Sequence, residues 1–207
     1  MRLIYRLRPR NIEYLFYTDL ILASASSGRT ELLRQAGIAF EIDPAHIDEA
    51  AVTAATTEEL VCEMAFKKAQ ETGKRHPGKL ILGADTLGLD DAGIFGKPDD
   101  AEHAKEMLAR LSGKTHYVIS GLTLLEQASG RHVNKMAKSA VQFRQLSQET
   151  IDRYVATGEP VGKAGGYAIQ GIGSLLVASI EGDYSNVVGL PVADFVDALA
   201  ELGYELI

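Results

Sequence analysis

The chain has 207 residues, 46% hydrophobic and 24% charged, with 28 Asp plus Glu against 21 Lys plus Arg and a formal net charge of −7. Such a chain can bury a substantial core and lacks the low hydrophobicity of a disordered one, and its length suits one large domain or two small lobes. The acidic balance excludes a broadly basic nucleic-acid binder or membrane-surface protein, and no window approaches the ~18 uninterrupted apolar residues of a membrane helix.

The opening stretch, residues 1–18, reads as an extension of unassigned role. Arg2, Arg6, Arg8 and Arg10 are not followed by an apolar run of signal-peptide length, and Tyr5, Tyr14 and Phe16 suit packing or an added strand. With Cys62 as the one cysteine, neither an internal disulfide nor a Cys-based zinc site can form, so a soluble, cytoplasmic protein is expected.

From Asp19 the text becomes regular. DLILASASSGRTELLRQAG reads as a buried strand from Leu20 to Ala23, a turn of small residues and a helix stopped by Gly37. IAFEIDP predicts a short strand ended by Pro44, followed by the acidic turn HIDEA. A helix is expected from about Thr57 to Thr72, opened by Thr57 with Glu58 and Glu59 in its first turn, where carboxylates suit the helix dipole. KLILGADT is a continuous apolar run of the kind covered on both faces, and a hairpin-like DDAG turn follows it. Ala101, Ala104, Met107, Leu108 and Leu111 keep helical spacing from about Asp99 to a stop at Gly113. HYVISGLTLLE and HVNKMAKSAVQFRQL predict longer strands joined through ASGR, and SQETIDRYVATG a helix capped by Ser147. GEPVGKAGGYAIQGIG holds six glycines in 16 positions, which suits a loop that brings backbone close to a ligand. Strands are expected around LLVASI and NVVG, then a helix with Pro191 at its first position. The alternation of strands and helices indicates the α/β class.

Several residues could carry chemistry. Ser24, Ser26, Ser27, Gly28 and Arg29 sit at a helix start, where amide donors, hydroxyls and a guanidinium would suit phosphate oxygens; the alternative is a small-residue cap. At ~100° per residue, Lys68 falls near the centre of the apolar face of Leu60, Val61, Met64 and Ala65, so it either snorkels out or is held by an anion. Asp85 lies where an apolar strand ends, a place for a base, a metal ligand or a plain turn aspartate. Glu49 in HIDEA is a second carboxylate, and Lys97 before Pro98 belongs to an extended loop segment or to solvent. His46, His76, His103, His116 and His132 form no HxxxH or HExxH pair, and no GxSxG supports a serine hydrolase.

Taken together, LASASSGRTELL, the IDE turn, GADT, GKPDDAEHAKEMLARLSGKTH, TGEPVGKAGGYAIQGIG and DYSNVVGLP resemble the Maf family of nucleoside triphosphate pyrophosphatases, from about residue 20 to the end. The resemblance implies a mixed α/β sheet in two lobes with a central cleft, similar to the inosine triphosphatase fold, with residues 19–207 as one two-lobed domain. It implies hydrolysis of a nucleoside triphosphate to the monophosphate and pyrophosphate with a divalent cation, Mg²⁺ or Mn²⁺. By the same resemblance Asp85 is the proton acceptor and Glu49 its metal or water partner, the two forming the metal site. Ser24, Ser26 and Arg29 fall in the phosphate-binding loop, and Lys68 and Lys97 face the triphosphate. Thr86 and Gln170 match two of the three positions tied to dTTP/UTP preference, whereas Gly28 stands where the third would be arginine. A modified pyrimidine or a broader range is therefore open beside dTTP and UTP. The 7-methyl-GTP branch carries a glutamate in place of Gln170. A nucleotide sensor without turnover and a regulatory binding protein inhibiting septum formation are the readings from other classes, and no exposed apolar stripe marks a partner surface for the latter. Neither nucleic acid nor membrane is an expected partner, and a homodimer is left open.

Overall fold

The computed structural model of the chain describes residues 8–9 and 19–205. The readings of Tyr5, Tyr14 and Phe16 lie outside the described residues; from the extension only strand β1, Arg8–Pro9, is described. The chain divides into two compact units, one of residues up to Thr86 with Ser120–Ala137 and Gly189 onward, the other of Leu87–Ile119 and Lys138–Val188.

In the first unit, β2 (Leu20–Leu22) is buried throughout and runs parallel to both β3 (Glu41–Ile42) and β4 (Leu80–Asp90). The order there is β3-β2-β4, continued by β6 (Thr115–Glu126) and β7 (His132–Phe143), each of these last three strands contributing a part to either unit. Ile21, Ala23, Ala69, Ile81 and Leu125 form a shared core cluster. Each large aliphatic side chain buried there contributes ~1.5–3 kcal/mol. Helix α1 (Ser27–Gln35) is capped by Ser26, whose Oγ accepts the Arg29 amide, and closes at Gly37 with φ of 71°.

Helix α2 (Thr57–Gly73) begins at Thr57 as its composition suggests, with Thr56, one residue earlier, as the cap: its Oγ1 accepts the Glu59 amide at 3.1 Å. Two glycines beneath α2 decide how closely it approaches the sheet. A Cβ on Gly83 would stand 2.1 Å from the Ala65 carbonyl oxygen, and one on Gly121 would stand 2.2 Å from that of Val61. Any side chain at either position would push the helix off the strands. At the other end of the unit, Gly203 with φ of 92° terminates α6 (Val192–Leu202), and β9 (Tyr204–Glu205) pairs antiparallel with β1. Pro191 occupies the cap of α6 rather than its first helical position.

In the second unit, β5 (Gly93–Phe95) folds back antiparallel on the end of β4, as the DDAG turn predicts. Helices α3 (Ala101–Leu111) and α4 (Gln148–Val155) are capped by Asp100 and Ser147, which accept the amides of His103 and Thr150. The glycine-rich stretch contains two 3-10 turns, Ala164–Gly166 and Ile172–Leu176, before β8 (Val177–Glu181) joins β7 antiparallel. Of NVVG, expected as strand, residues 186–188 lie in the short helix α5, Tyr184–Val188, and Gly189 follows it. Asp183 explains the difference: its Oδ1 accepts the Ser185 amide at 2.7 Å and its carbonyl the Val187 amide at 3.3 Å, a turn that overrides the β-branched pair. Parallel and antiparallel pairs together make the mixed α/β sheet expected from the sequence.

Candidate active site

The close approach of α2 carries Lys68 to the end of the buried part of β4. Its Nζ donates to Asp85 Oδ1 at 2.7 Å and lies 2.7 Å from Glu49 Oε1. The Lys68 and Asp85 side chains are 11% and 12% exposed, while that of Glu49 is 62% exposed, so a nearly buried ion pair is completed by a carboxylate open to solvent. Of the two fates open to a lysine on an apolar helix face, the anion-held one is realised.

Glu49 opens a 3-10 turn, Glu49–Ala51, capped by Asp48. Its loop is tied to the end of α2 by residues that sequence reasoning missed. Glu71 Oε2 accepts the His46 amide at 2.9 Å, Arg75 Nε donates to Asp43 Oδ2 at 2.8 Å, and Arg75 also reaches the Pro44 carbonyl at 3.0 Å. The hydrogen bonds from Arg75, then from His76, hold the Asp43 carboxyl below the usual carboxylate range. The spacing of Glu71 and Arg75, one helical turn apart, signals a pair, but nothing local points to Asp43.

A second cationic side chain lies in the same unit. Arg29 is buried, and its guanidinium donates through Nε to the Gly189 carbonyl at 2.8 Å, through one terminal nitrogen to Ser24 Oγ at 2.8 Å and through the other to Thr86 Oγ1 at 3.0 Å. Burial lowers its pKa, and the charges of Asp85 and Glu49 oppose that shift. Thr86 Oγ1 meets Ser120 Oγ at 2.8 Å and donates to the Gly189 carbonyl at 3.2 Å. Ser24 Oγ also accepts the Ser26 amide at 3.2 Å, and accepting bonds leaves a hydroxyl its proton to donate.

Glu49, Lys68, Asp85, Ser24, Ser26, Gly28, Arg29 and Thr86 thus belong to the first unit, and Lys97 and Gln170 to the second. Both of the latter are exposed, on segments joined by the Gly165 amide donating to the Gly96 carbonyl at 2.9 Å. Gly28 is the second residue of α1 and offers no side chain.

The donor set can be compared with the needs of a metal ion. Among the described residues no group of three or more His, Cys, Asp or Glu converges as a cage. Two carboxylates sharing one lysine do suit Mg²⁺ or Mn²⁺, hard ions commonly held by one or two carboxylates, waters and the oxygens of a bound phosphate. Glu49 and Asp85 would hold such an ion.

The fold and this site define an α/β protein with cation-braced carboxylates at a strand end. A family profile described as Maf-like protein matches residues 19–202, and the chain belongs to that family. Among curated relatives, the dTTP/UTP pyrophosphatase of Syntrophotalea carbinolica is 43% identical over 94% of this chain and 90% of its own. That of Symbiobacterium thermophilum is 46% identical over 91% and 96%, and that of Myxococcus xanthus 46% identical over 91% and 95%. The solved structure of the Staphylococcus aureus Ham1 protein covers 60% of this chain and 71% of its own at TM-score 0.41 and 13% identity.

Proposed function

We propose that the chain hydrolyses nucleoside triphosphates between the α and β phosphates, with pyrimidine substrates such as dTTP and UTP or modified forms of them preferred. The observation that carries this reading is the Lys68 ammonium at 2.7 Å from both Asp85 and Glu49, in a chain 43% identical to a dTTP/UTP pyrophosphatase. Hydrolysis adds water across one phosphorus–oxygen bond: hydroxide goes to phosphorus, and the proton ends on the leaving oxygen or in solvent. Asp85 orients that water and takes its proton, and Lys68 fixes the rotamer in which the carboxylate does so. A divalent cation bound by Glu49 and Asp85 would neutralise charge on the phosphates. Ser24, Ser26 and Arg29 bind phosphate oxygens from the start of α1, with Lys97 as a further cation. Thr86 acts on selectivity through Arg29, whose terminal nitrogen it receives at 3.0 Å, and Gln170 meets the base with its amide. Glycine at position 28 removes one guanidinium from this set, which widens the range of accepted bases.

No helix among the described residues is long and apolar enough to cross a membrane, and the lone Cys62 fits a reducing compartment, both consistent with a cytoplasmic enzyme. The test is a panel of natural and modified nucleoside triphosphates with Mg²⁺ or Mn²⁺. Pyrophosphate and monophosphate in equal amounts, highest with pyrimidines, are expected; orthophosphate as the product would contradict the reading.

A further inference from the structure

The glycine-rich loop of the second unit holds Gln170 between two fixed points, and neither belongs to the reaction described above. Glu159, eleven residues before Gln170, sends both carboxylate oxygens back into the loop. Oε1 accepts the Ile172 amide at 2.9 Å, and Oε2 accepts the Gly173 amide at 2.7 Å and the Tyr154 hydroxyl at 2.7 Å. The Tyr154 oxygen in turn accepts the Ala168 amide at 3.1 Å. On the upstream side, the Tyr167 hydroxyl meets His116 Nε2 at 2.8 Å, and Ile169 is buried. Gln170 is therefore an exposed side chain on a backbone gripped on both sides.

The loop's glycines are what let the carboxylate in. A Cβ on Gly171 would stand 2.0 Å from Glu159 Oε1, and one on Gly173 would stand 2.7 Å from both the Tyr154 hydroxyl and the Ala168 carbonyl oxygen. Burial would raise the Glu159 pKa, but the bonds from Tyr154, Gly173 and Ile172 outweigh it and hold the group below its ordinary value, charged and able only to accept.

We propose that Glu159 is a positioning residue for base selection: its carboxylate, shared by Tyr154, Ile172 and Gly173, fixes the backbone from which Gln170 reaches the nucleotide base. This rests on the reading of Gln170 as the base-facing residue. Glu159→Gln keeps the shape but replaces one acceptor oxygen by an NH2 that meets a donor, so it loosens the loop with little change in packing.

The experiment uses four proteins, the parent, Glu159→Gln, Gln170→Ala and the double variant. Affinities for the α,β-imido analogues of dTTP and dGTP are measured beside pyrophosphate release from the natural nucleotides. The parent should prefer the pyrimidine analogue, and Glu159→Gln should lose roughly tenfold of that preference, a change worth about one hydrogen bond, while kcat moves far less. In the double variant the loss should not exceed that of Gln170→Ala alone. Tyr154→Phe, which removes one of the three donors, should shift preference the same way and serves as the reporter if Glu159→Gln does not fold. A parent without base preference, an unchanged preference in Glu159→Gln with its fold intact, or losses that add in the double variant would each overturn the proposal. A parent that discriminates in binding but releases no pyrophosphate would refute the catalytic reading and leave the anchor standing.

Discussion

At the scale of single residues, Lys68 is the side chain on which the site turns. One ammonium at 2.7 Å from each of two carboxylates offsets a repulsion that Asp85 and Glu49 would otherwise feel directly. In Lys68→Met that charge is gone, and turnover should fall by about a hundredfold or more, the scale of losing one preorganised electrostatic partner. Its stability, followed by urea denaturation, should fall as well, and adding Asp85→Asn should restore part of the stability but none of the activity. If Lys68→Met kept parental turnover, the bridge would have no part in the chemistry. Arg29 makes a different demand. Its planar fork serves Gly189, Ser24 and Thr86 at once, which a lysine cannot do, so Arg29→Lys should cost ~2 kcal/mol in denaturation. The position of Lys68 on an apolar face was readable from spacing alone. That Glu49 and Asp85 meet it was not, because they reach it from a 3-10 turn and a strand, and periodicity within a helix says nothing of what lies opposite. Gly189, 160 residues from Arg29, was further still from any local signal.

Among the elements, the contact of α2 with β4 and β6 controls where that lysine goes. Gly83 and Gly121 carry no side chain where one would collide with the backbone of Ala65 and Val61. Gly83→Ala should therefore destabilise the protein by ~1–3 kcal/mol through overpacking and also lower turnover, as the helix backs away with Lys68. A variant equally stable and active would show that α2 has room to spare. Most elements were legible because their patterns were strong: the apolar run of β4, the spacing along α3 and the cap at Ser147. The exceptions share a cause in side-chain hydrogen bonds that propensity does not register. Asp183 turned a β-branched stretch into α5, and Thr56 rather than Thr57 took the cap of α2. Glu159 was invisible for the same reason, its three donors being spread from Tyr154 to Gly173.

For the molecule as a whole, the net charge of −7 describes its exterior, while the candidate site gathers Arg29 and Lys68 inside it. Beside the depressed carboxyls of Asp43 and Glu159, two groups away from that site should contribute strongly to acid instability. Burial, only weakly opposed by Asp90, depresses the pKa of His116 to about 4 from 6.5, so the folded chain resists a proton the unfolded one accepts. Stability should fall as pH drops from about 6.5 to 4, by roughly 3 kcal/mol in all. Glu126, held at about 2 by Arg131 despite partial burial and helped by Ser129 and Tyr204, adds a second loss between pH 4.5 and about 2. In His116→Phe the first decline should vanish and the second remain; an unchanged profile would contradict the assignment. The most direct test of the central claim is single-turnover hydrolysis of dTTP by the parent and by Asp85→Asn, with both products quantified in the presence of Mg²⁺. Equal amounts of monophosphate and pyrophosphate from the parent, and a loss of about a hundredfold or more in the variant with nucleotide binding retained, is the predicted result. An Asp85→Asn protein as fast as the parent would contradict it.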